Sequence, residues 1–461
     1  MKCTVKILAA ALAAIAARCA WAVPVVSGVD MSQPSKTVVI AYTLSGEAAV
    51  ITLDVQTNSN TSAEADDPGW TSIGGAAVCN AQGDVWKKVE TGSRRITWRP
   101  DLSWPDHVIA DGGARAVVTA WSLGNTPDYM VVDIAGAAKP DSQSYYPAAE
   151  FVPGGVTNGI YKTSSLLMRK IMAKDVEWTM GSTGVETQRA SWPEQEITHK
   201  VKLDGNYYIG VYEITQSQWK EVATNSTVSA NFTTEASMRP MESVCYNEIR
   251  LRVNSNAAAT SDEISRYSWP SNPAPGSFLG LLRLKTGIDF DLPSEAQWEF
   301  AARAGHGSGY WNDGSVVLNV SSDSNLNRLG RNVNNNPGST STTATLAPSE
   351  GGTAIVGSYE PSSWGLYDMH GNVFEWCLDW YQVNISTATD SQGELYAGHV
   401  NIKPDQPTVT LSGATASQRV IRGGSWNYGS ALSRPAMRFA DGAAHRYNIT
   451  GFRVVCTAGL Q

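Results

Sequence analysis

Thiols and imidazoles are the side chains best suited to redox, metal and nucleophilic chemistry near neutral pH. This chain has few of either, 6 Cys and 6 His in 461 residues. Beyond position 22 the cysteines are Cys79, Cys245, Cys377 and Cys456. No Cys-x-x-Cys occurs, so a dithiol redox pair or a zinc site of that pattern has no support. Cysteines this far apart make no dense disulfide framework, and buried free thiols or a single bridge are expected. The histidines, at 107, 199, 306, 370, 399 and 445, form no His-x-x-x-His or His-x-Glu pattern that would cluster ligands for a facial iron site. No Gly-x-Ser-x-Gly elbow presents a serine nucleophile. His370 and His445 therefore read as polar loop residues.

What stands out instead is a surface. "RGGSWNYGSALSRPAMRF", Arg422–Phe439, opens on what reads as a fixed signature. It then runs into small, hydroxylated and aromatic residues with neither helical nor strand period. Here and just beyond, Tyr428, Phe439, His445 and Tyr447 offer rigid aromatic contact area. Ser430, Ser433, Asp441 and Asn448 offer adaptable hydrogen bonding, the mixture that antibody paratopes use. Loops of this kind carry specificity when a rigid scaffold holds them.

The scaffold has to come from the rest of the chain. At 461 residues two or three domains are expected. Hydrophobic residues make up 42%, enough for real cores, and charged residues only 17%. Gly, Trp and Tyr are abundant and Phe is scarce, which suggests β- and loop-rich architecture. A net charge of −8 is a poor match to nucleic acid or anionic lipid, both of which reward clustered Lys and Arg. The N-terminus has Lys2 and Lys6, an apolar run Ile7–Ala17 and Ala20-Trp21-Ala22, the layout of a secretory signal peptide cleaved after residue 22. That run is too short to span a bilayer, and no later segment is apolar for long enough. Export to the periplasm, the cell surface or the medium follows.

Residues 23–136 read as β. Lys36–Ser45, Ala49–Thr57, Arg94–Pro100 and Ala114–Ser122 are short, rich in Val, Ile and Thr, and bounded by turn residues. An immunoglobulin- or fibronectin-like sandwich is expected there, as a spacer or adhesion module. Residues 137–160 are rich in Pro and Gly and read as a linker. A second domain is expected over 161–461. Two helices in it are well signalled. Thr215 with Gln218, and Ser294 with Gln297, are capping boxes. Gly305 closes the second helix, whose Trp298, Ala301 and Ala302 share one face. A Ser/Asn/Gly/Thr-rich loop, Gly307–Gly352, is long enough to be functional or mobile.

From Met180 onward ordered words accumulate: "MGS" at Met180, "HKVKLDGNYYIGVYEITQSQWKEV" at His199, "RPMESVCYNEI" at Arg239, "DLPSEAQWEFAARAG" at Asp291, "VGSYEPSSWGLYDMHGNVFEWCLDWY" at Val356, and "RVIRGGSW" with "TGFRVV" towards the end. This resembles the formylglycine-generating enzyme family, the sulfatase-modifying factor domain, from about Tyr161 onward. The resemblance implies an α+β fold class: a C-type-lectin-like domain, loop-heavy with few helices and a small twisted antiparallel sheet.

It also sets expectations for the site. The family's enzymes hold copper between two cysteines that follow Arg-Gly-Gly-Ser; counted from Arg422, those positions fall on Tyr428 and Ser433. Neither a protonated phenol nor a hard, weakly ligating hydroxyl replaces a thiolate, so no copper is expected. "YDMHGNVFEW" matches the family's calcium-binding turn, whose ligands here would be Asp368, the carbonyls of Gly371 and Val373, and Glu375. The other reading of this turn is metal-free, held by Asn372 and Glu375 hydrogen bonds. Some members of the fold are instead the variable proteins of diversity-generating retroelements, whose C-terminal segment is rewritten at the adenines of Asn-type codons. Such rewriting never yields Lys, Glu, Gln or Trp. Asn427–Thr450 contains none of these, and only Met437 falls outside the accessible set. The leading expectation is an exported, non-catalytic protein binding a protein or glycan ligand through that segment. The alternative is an oxidoreductase of the formylglycine-generating class acting on a protein substrate.

Overall fold

The computed structural model describes residues 23–460 except 140–141, 183–195, 235, 261–262, 264–265, 268–270, 319–321, 337–350 and 382–417. The expected signal peptide and part of the Gly307–Gly352 loop lie outside the described residues. The chain divides into two units, 1–127 with 145–153, and 128–144 with 154–460.

The first unit is β. Val25–Ser32, Val38–Ser45 and Gly92–Trp98 pair antiparallel in that order, with Gln82–Gly83 on the far side of the third. Ala49–Thr57 centres a second sheet and pairs along its whole length with Ala114–Ser122. In Val38–Ser45 the residues Val38, Ile40, Tyr42 and Leu44 are buried, while Ala41, Thr43 and Ser45 are exposed. That is the period-2 alternation of a strand with one face on a core. Ala49–Val55 is buried almost throughout and fills the middle. The four sequence-read strands are all present.

The boundary falls earlier than the sequence suggested. Tyr129–Asp133 belongs to the second unit, where it pairs antiparallel with Ser165–Ile171 in the register Val132↔Leu166 and Met130↔Met168. Met130, Val132 and Ile134 are buried there. The expected linker is also not a simple spacer: Tyr145, Tyr146 and Val152 are buried, and Tyr146 packs on Trp86 within the first unit, centroids 5.2 Å apart. Pro and Gly punctuate this stretch, but its aromatic residues have surface to hide.

In the second unit one sheet includes, in order, Tyr129–Asp133, Ser165–Ile171, Tyr207–Gly210 and Val455–Thr457, so its last strand pairs with Tyr207–Gly210. A second runs Phe439–Gly442, Gln418–Arg422, Phe374–Trp380, Thr450–Gly451, and Glu177–Met180 pairs with His199–Lys202 in a small third one. Both predicted capping boxes form, on Gln216–Val222 and Glu295–Arg303. Trp298, Ala301 and Ala302 are fully buried, as their shared face required. Gly305 takes φ +87, and Ala304 before it also turns left-handed, φ +47. Phe278–Thr286, capped by Ser277, is a further helix without a strong sequence signal.

So loop-rich a unit leaves many carbonyls without a ladder partner. Buried arginines meet part of that need. Arg239, Arg250, Arg331, Arg422, Arg434 and Arg453 rank among the largest fully buried side chains. Arg331 donates to the carbonyls of Gly352 and Asn335, Arg453 to those of Gly210 and Tyr367. A guanidinium, with many donors in one plane, ties several loops at once. No helix among the described residues is long and apolar enough to cross a membrane.

Candidate ligand-binding face

The Arg-Gly-Gly-Ser frame is explained by packing. Arg422 is fully buried; its Nε lies 3.2 Å from Glu295, and its two Nη groups donate to Glu299 and to the carbonyl of Met437. Gly423 and Gly424 take φ +100 and +77. A Cβ on Gly424 would lie 2.4 Å from Ser433 Oγ and 2.9 Å from Ser433 Cα, so the segment after the frame folds back onto the second glycine. Only glycine meets both demands.

The segment that follows is not one exposed loop. Pro435, Ala436, Met437 and Arg438 are buried. Arg434 pairs with Glu196 through two hydrogen bonds of 2.9 and 2.6 Å, and Arg438 pairs with Glu295 at 2.6 and 2.8 Å. Both arginines sit where the sequence reading saw only surface, and nothing local marks their distant partners. Ser430 and Ser433 are buried too, which corrects their assignment to the ligand-binding set. Ser433 Oγ donates to the Gly429 carbonyl, and its own carbonyl accepts from His370 Nδ1 at 2.9 Å. Because a carbonyl only accepts, Nδ1 carries the proton. Burial then pushes His370 down to about 4, so the imidazole is neutral. It packs against Trp311 edge-on at 5.0 Å. His370 is thus a core residue, not the polar loop residue expected.

The remaining candidates do reach the surface. Phe439, His445 and Tyr447 are exposed, and Tyr428, Asp441 and Asn448 are partly buried. Phe374, in the buried central strand, supports two of them. Phe439 stacks on it at 5.6 Å and Tyr428 meets it at 5.5 Å and a steep angle. His445 and Tyr447 form an edge-to-face pair at 5.9 Å. Asp441 Oδ1 accepts from the Gly442 N–H and lies 2.7 Å from His445 Nδ1. The backbone beneath is pinned from outside the segment: Ser243 N–H donates to the Tyr447 carbonyl, Asn247 N–H to that of Ala443, and Trp426 Nε1 to that of Asn448. Arg446 pairs with the buried carboxylate of Glu248. The outcome is a set of aromatic tips on a fixed backbone.

The metal expectations meet other chemistry. Glu375 is fully buried, and Arg453 clasps its oxygens at 2.6 Å each, with Trp298 Nε1 donating at 2.7 Å. Val373 presents its N–H to Glu213 at 3.2 Å, and Asn372 bridges Glu213 and the Ala354 N–H. Asp368 Oδ2 accepts from the Gly357 N–H at 2.6 Å, and burial pushes this carboxyl up to about 6. Gly371 takes φ +150, and a Cβ on it would meet the Arg331 carbonyl at 2.2 Å. Of the four residues expected to ligate calcium, Glu375 is thus engaged by the Arg453 guanidinium, whereas Asp368 Oδ1 is buried with no hydrogen-bond partner. Among the described residues no group of three or more His, Cys, Asp or Glu side chains is placed to hold a metal. At the two positions where the resemblance places copper-binding cysteines, Tyr428 is a phenol on Phe374 and Ser433 a buried hydroxyl. Cys79, Cys245, Cys377 and Cys456 are free thiols, and burial pushes Cys245 up to about 12 and Cys377 and Cys456 up as well.

The family relationship is independent of these side-chain details. The Sulfatase-modifying factor enzyme 1-like domain matches residues 168–458. A formylglycine-generating enzyme of Streptomyces coelicolor is 34% identical over 138 residues, covering 29% of this chain and 35% of that enzyme. The serine/threonine-protein kinase pkn1 of Chlamydia pneumoniae is 26% identical over 267 residues, 58% of this chain but only 34% of the kinase. The match therefore spans about a third of that relative's length. Among solved structures, PvdO from Pseudomonas aeruginosa is similar at TM-score 0.43 and 20% identity, covering 63% of this chain and 94% of that one. Treponema denticola variable protein 1 is similar at TM-score 0.41 and 23% identity, covering 64% and 95%. With well over half of its length matched, and with few helices among short sheets and long loops, the chain belongs to the sulfatase-modifying factor enzyme 1-like domain family and carries its C-type-lectin-like fold behind an N-terminal β unit.

Proposed function

We propose that this chain is an exported, non-catalytic binding protein. An N-terminal immunoglobulin-like unit serves as spacer, and a retroelement diversifies the face that meets a protein or glycan ligand. Tyr428, Phe439, Asp441, His445, Tyr447 and Asn448 carry the contact. The supporting observation is how accessibility divides Asn427–Thr450. The exposed residues Asn427, Phe439, His445, Arg446 and Tyr447 all belong to the set reachable by adenine mutation of Asn-type codons. Met437, the residue outside that set, is 1% exposed and part of the core. On this reading change is confined to positions where the frame tolerates it, since surface substitutions cost little stability and core ones much. The alternative, formylglycine formation, lacks both thiols at the positions that would need them.

Sequencing this gene across a population of the source cells tests the reading. Codons of the exposed positions should vary at adenines, codons 434–438 should not, and a near-repeat of the segment should lie downstream. An invariant segment without such a repeat refutes diversification. Mass spectrometry of a sulfatase-type Cys peptide, incubated with the protein and copper, tests the catalytic side. No formylglycine is expected, and its appearance overturns the binding-protein reading.

A further inference from the structure

A cavity of about 250 Å³ adjoins this face. Residues outside the diversified segment line most of it, chiefly Tyr246, Tyr267, Trp380 and Arg419; Ala443 and His445 from the segment close it. The sheet register explains the grouping. Arg419 stands opposite Trp380 on one side and Asp441 on the other. Its guanidinium lies 3.5 Å from the Trp380 ring centroid and 4.3 Å from that of Tyr246, while Nη1 donates to the Leu378 carbonyl at 2.6 Å. Aromatic rings cover the guanidinium, so further partners meet it at its edge, where N–H groups bind carboxylate oxygens. Arg419 is 3% exposed, and burial depresses it to about 10, with Tyr246 and Asp379 opposing and Arg250 reinforcing. Added negative charge at this edge favours the cation.

We infer that this cavity binds an aromatic carboxylate, its ring among Tyr246, Tyr267 and Ala443 and its carboxylate on Arg419. The proposal rests on reading the adjoining face as a binding surface and names a ligand class for one part of it. Size agrees: a dry cavity of roughly 150 Å³ takes up benzene, and this one has space for a ring with a short acidic tail. Apolar walls with one charged group that fixes orientation are the usual makeup of a small-ligand site. Position 443 then sets specificity, because a larger side chain there occupies the ring's space. A free aromatic acid and the C-terminal aromatic residue of a partner chain share this chemistry.

Phenylacetate titrated into the full chain by calorimetry or ligand-observed NMR provides the test. Binding at millimolar concentration or tighter is expected, weakened about tenfold or more for the neutral isostere phenylacetamide. Ala443→Phe should abolish binding with the fold intact by circular dichroism, and Arg419→Gln should erase the preference for acid over amide. Should Arg419→Gln fail to fold, the acid–amide pair and Ala443→Phe still decide. Tighter binding of N-acetylphenylalanine than of phenylacetate assigns the site to a chain terminus, and the reverse order assigns it to a free acid. No binding by the native protein at about 10 mM, equal affinity for acid and amide, or unchanged affinity in Ala443→Phe each overturns the inference. The diversification reading is tested on DNA, so a failed titration leaves it standing and an invariant gene leaves the cavity result standing.

Discussion

Replacing Glu375 with Gln puts the central ion pair of the second unit to a quantitative test. Glu375 and Arg453 are both fully buried and share two 2.6 Å contacts, with a third hydrogen bond from Trp298 Nε1 at 2.7 Å. The Gln side chain keeps the shape but removes the charge that compensates Arg453. Breaking a buried pair from one side costs about 3–5 kcal/mol, because the other charge stays in the core. At roughly 2–4 °C per kcal/mol, this unit should melt on the order of 10 °C lower. Arg453→Met should cost as much and also strand the Gly210 and Tyr367 carbonyls, each worth about 1–3 kcal/mol when orphaned. The double variant Glu375→Leu with Arg453→Met should lose clearly less than the sum of the single losses. Scanning calorimetry is the assay, since a two-unit chain need not melt in one step. Millimolar calcium should leave the native transition unmoved. The reasoning fails if Glu375→Gln melts within about 1 kcal/mol of native, or if calcium stabilises the native protein and this substitution removes the effect.

Acid should weaken the fold through His370. The unfolded chain takes up a proton below the ordinary imidazole value of 6.5, whereas the buried ring resists until about 4. Its contribution, up to about 3 kcal/mol, is therefore fully present above pH 6.5 and is lost as pH falls towards 4. Asp368, pushed up to about 6, works in the opposite sense, so the readout is native minus His370→Gln in denaturation midpoint across this range; superimposable profiles would contradict the assignment. Gly424→Ala should destabilise by about 2 kcal/mol or more, from its positive φ and the clash with Ser433, and a melting curve matching native would show that the frame does not need that glycine.

Local patterns in the sequence were sufficient for four strands of the first unit, though not for Val25–Ser32, and for both capping boxes, because alternation and caps are written within a few residues. Ordered motifs were sufficient for the family and its lectin-like fold. The end of the first unit was less legible. Tyr129–Asp133 has strand character in either unit, and only its pairing with Ser165–Ile171 decides which sheet it joins. Of the residues read as a candidate face, Phe439, His445 and Tyr447 are exposed, whereas Ser430 and Ser433 are buried. Composition marks Asn427–Thr450 as unpatterned, but unpatterned residues lie on a surface or in an irregular core with equal ease.

Residue identity alone puts Tyr428 and Ser433 where the resemblance places the family's copper-binding cysteines, and no folding converts a phenol or a hydroxyl into a thiolate. Pairing was settled only in three dimensions. Glu375 had the right type and spacing for a cation-binding turn, yet Arg453, far along the chain, reaches it first. Nothing near Arg434 and Arg438 in the sequence marks Glu196 and Glu295, which pair with them in the core. A side chain's type is local information, whereas the partner that satisfies it in a loop-built core is a product of the whole fold.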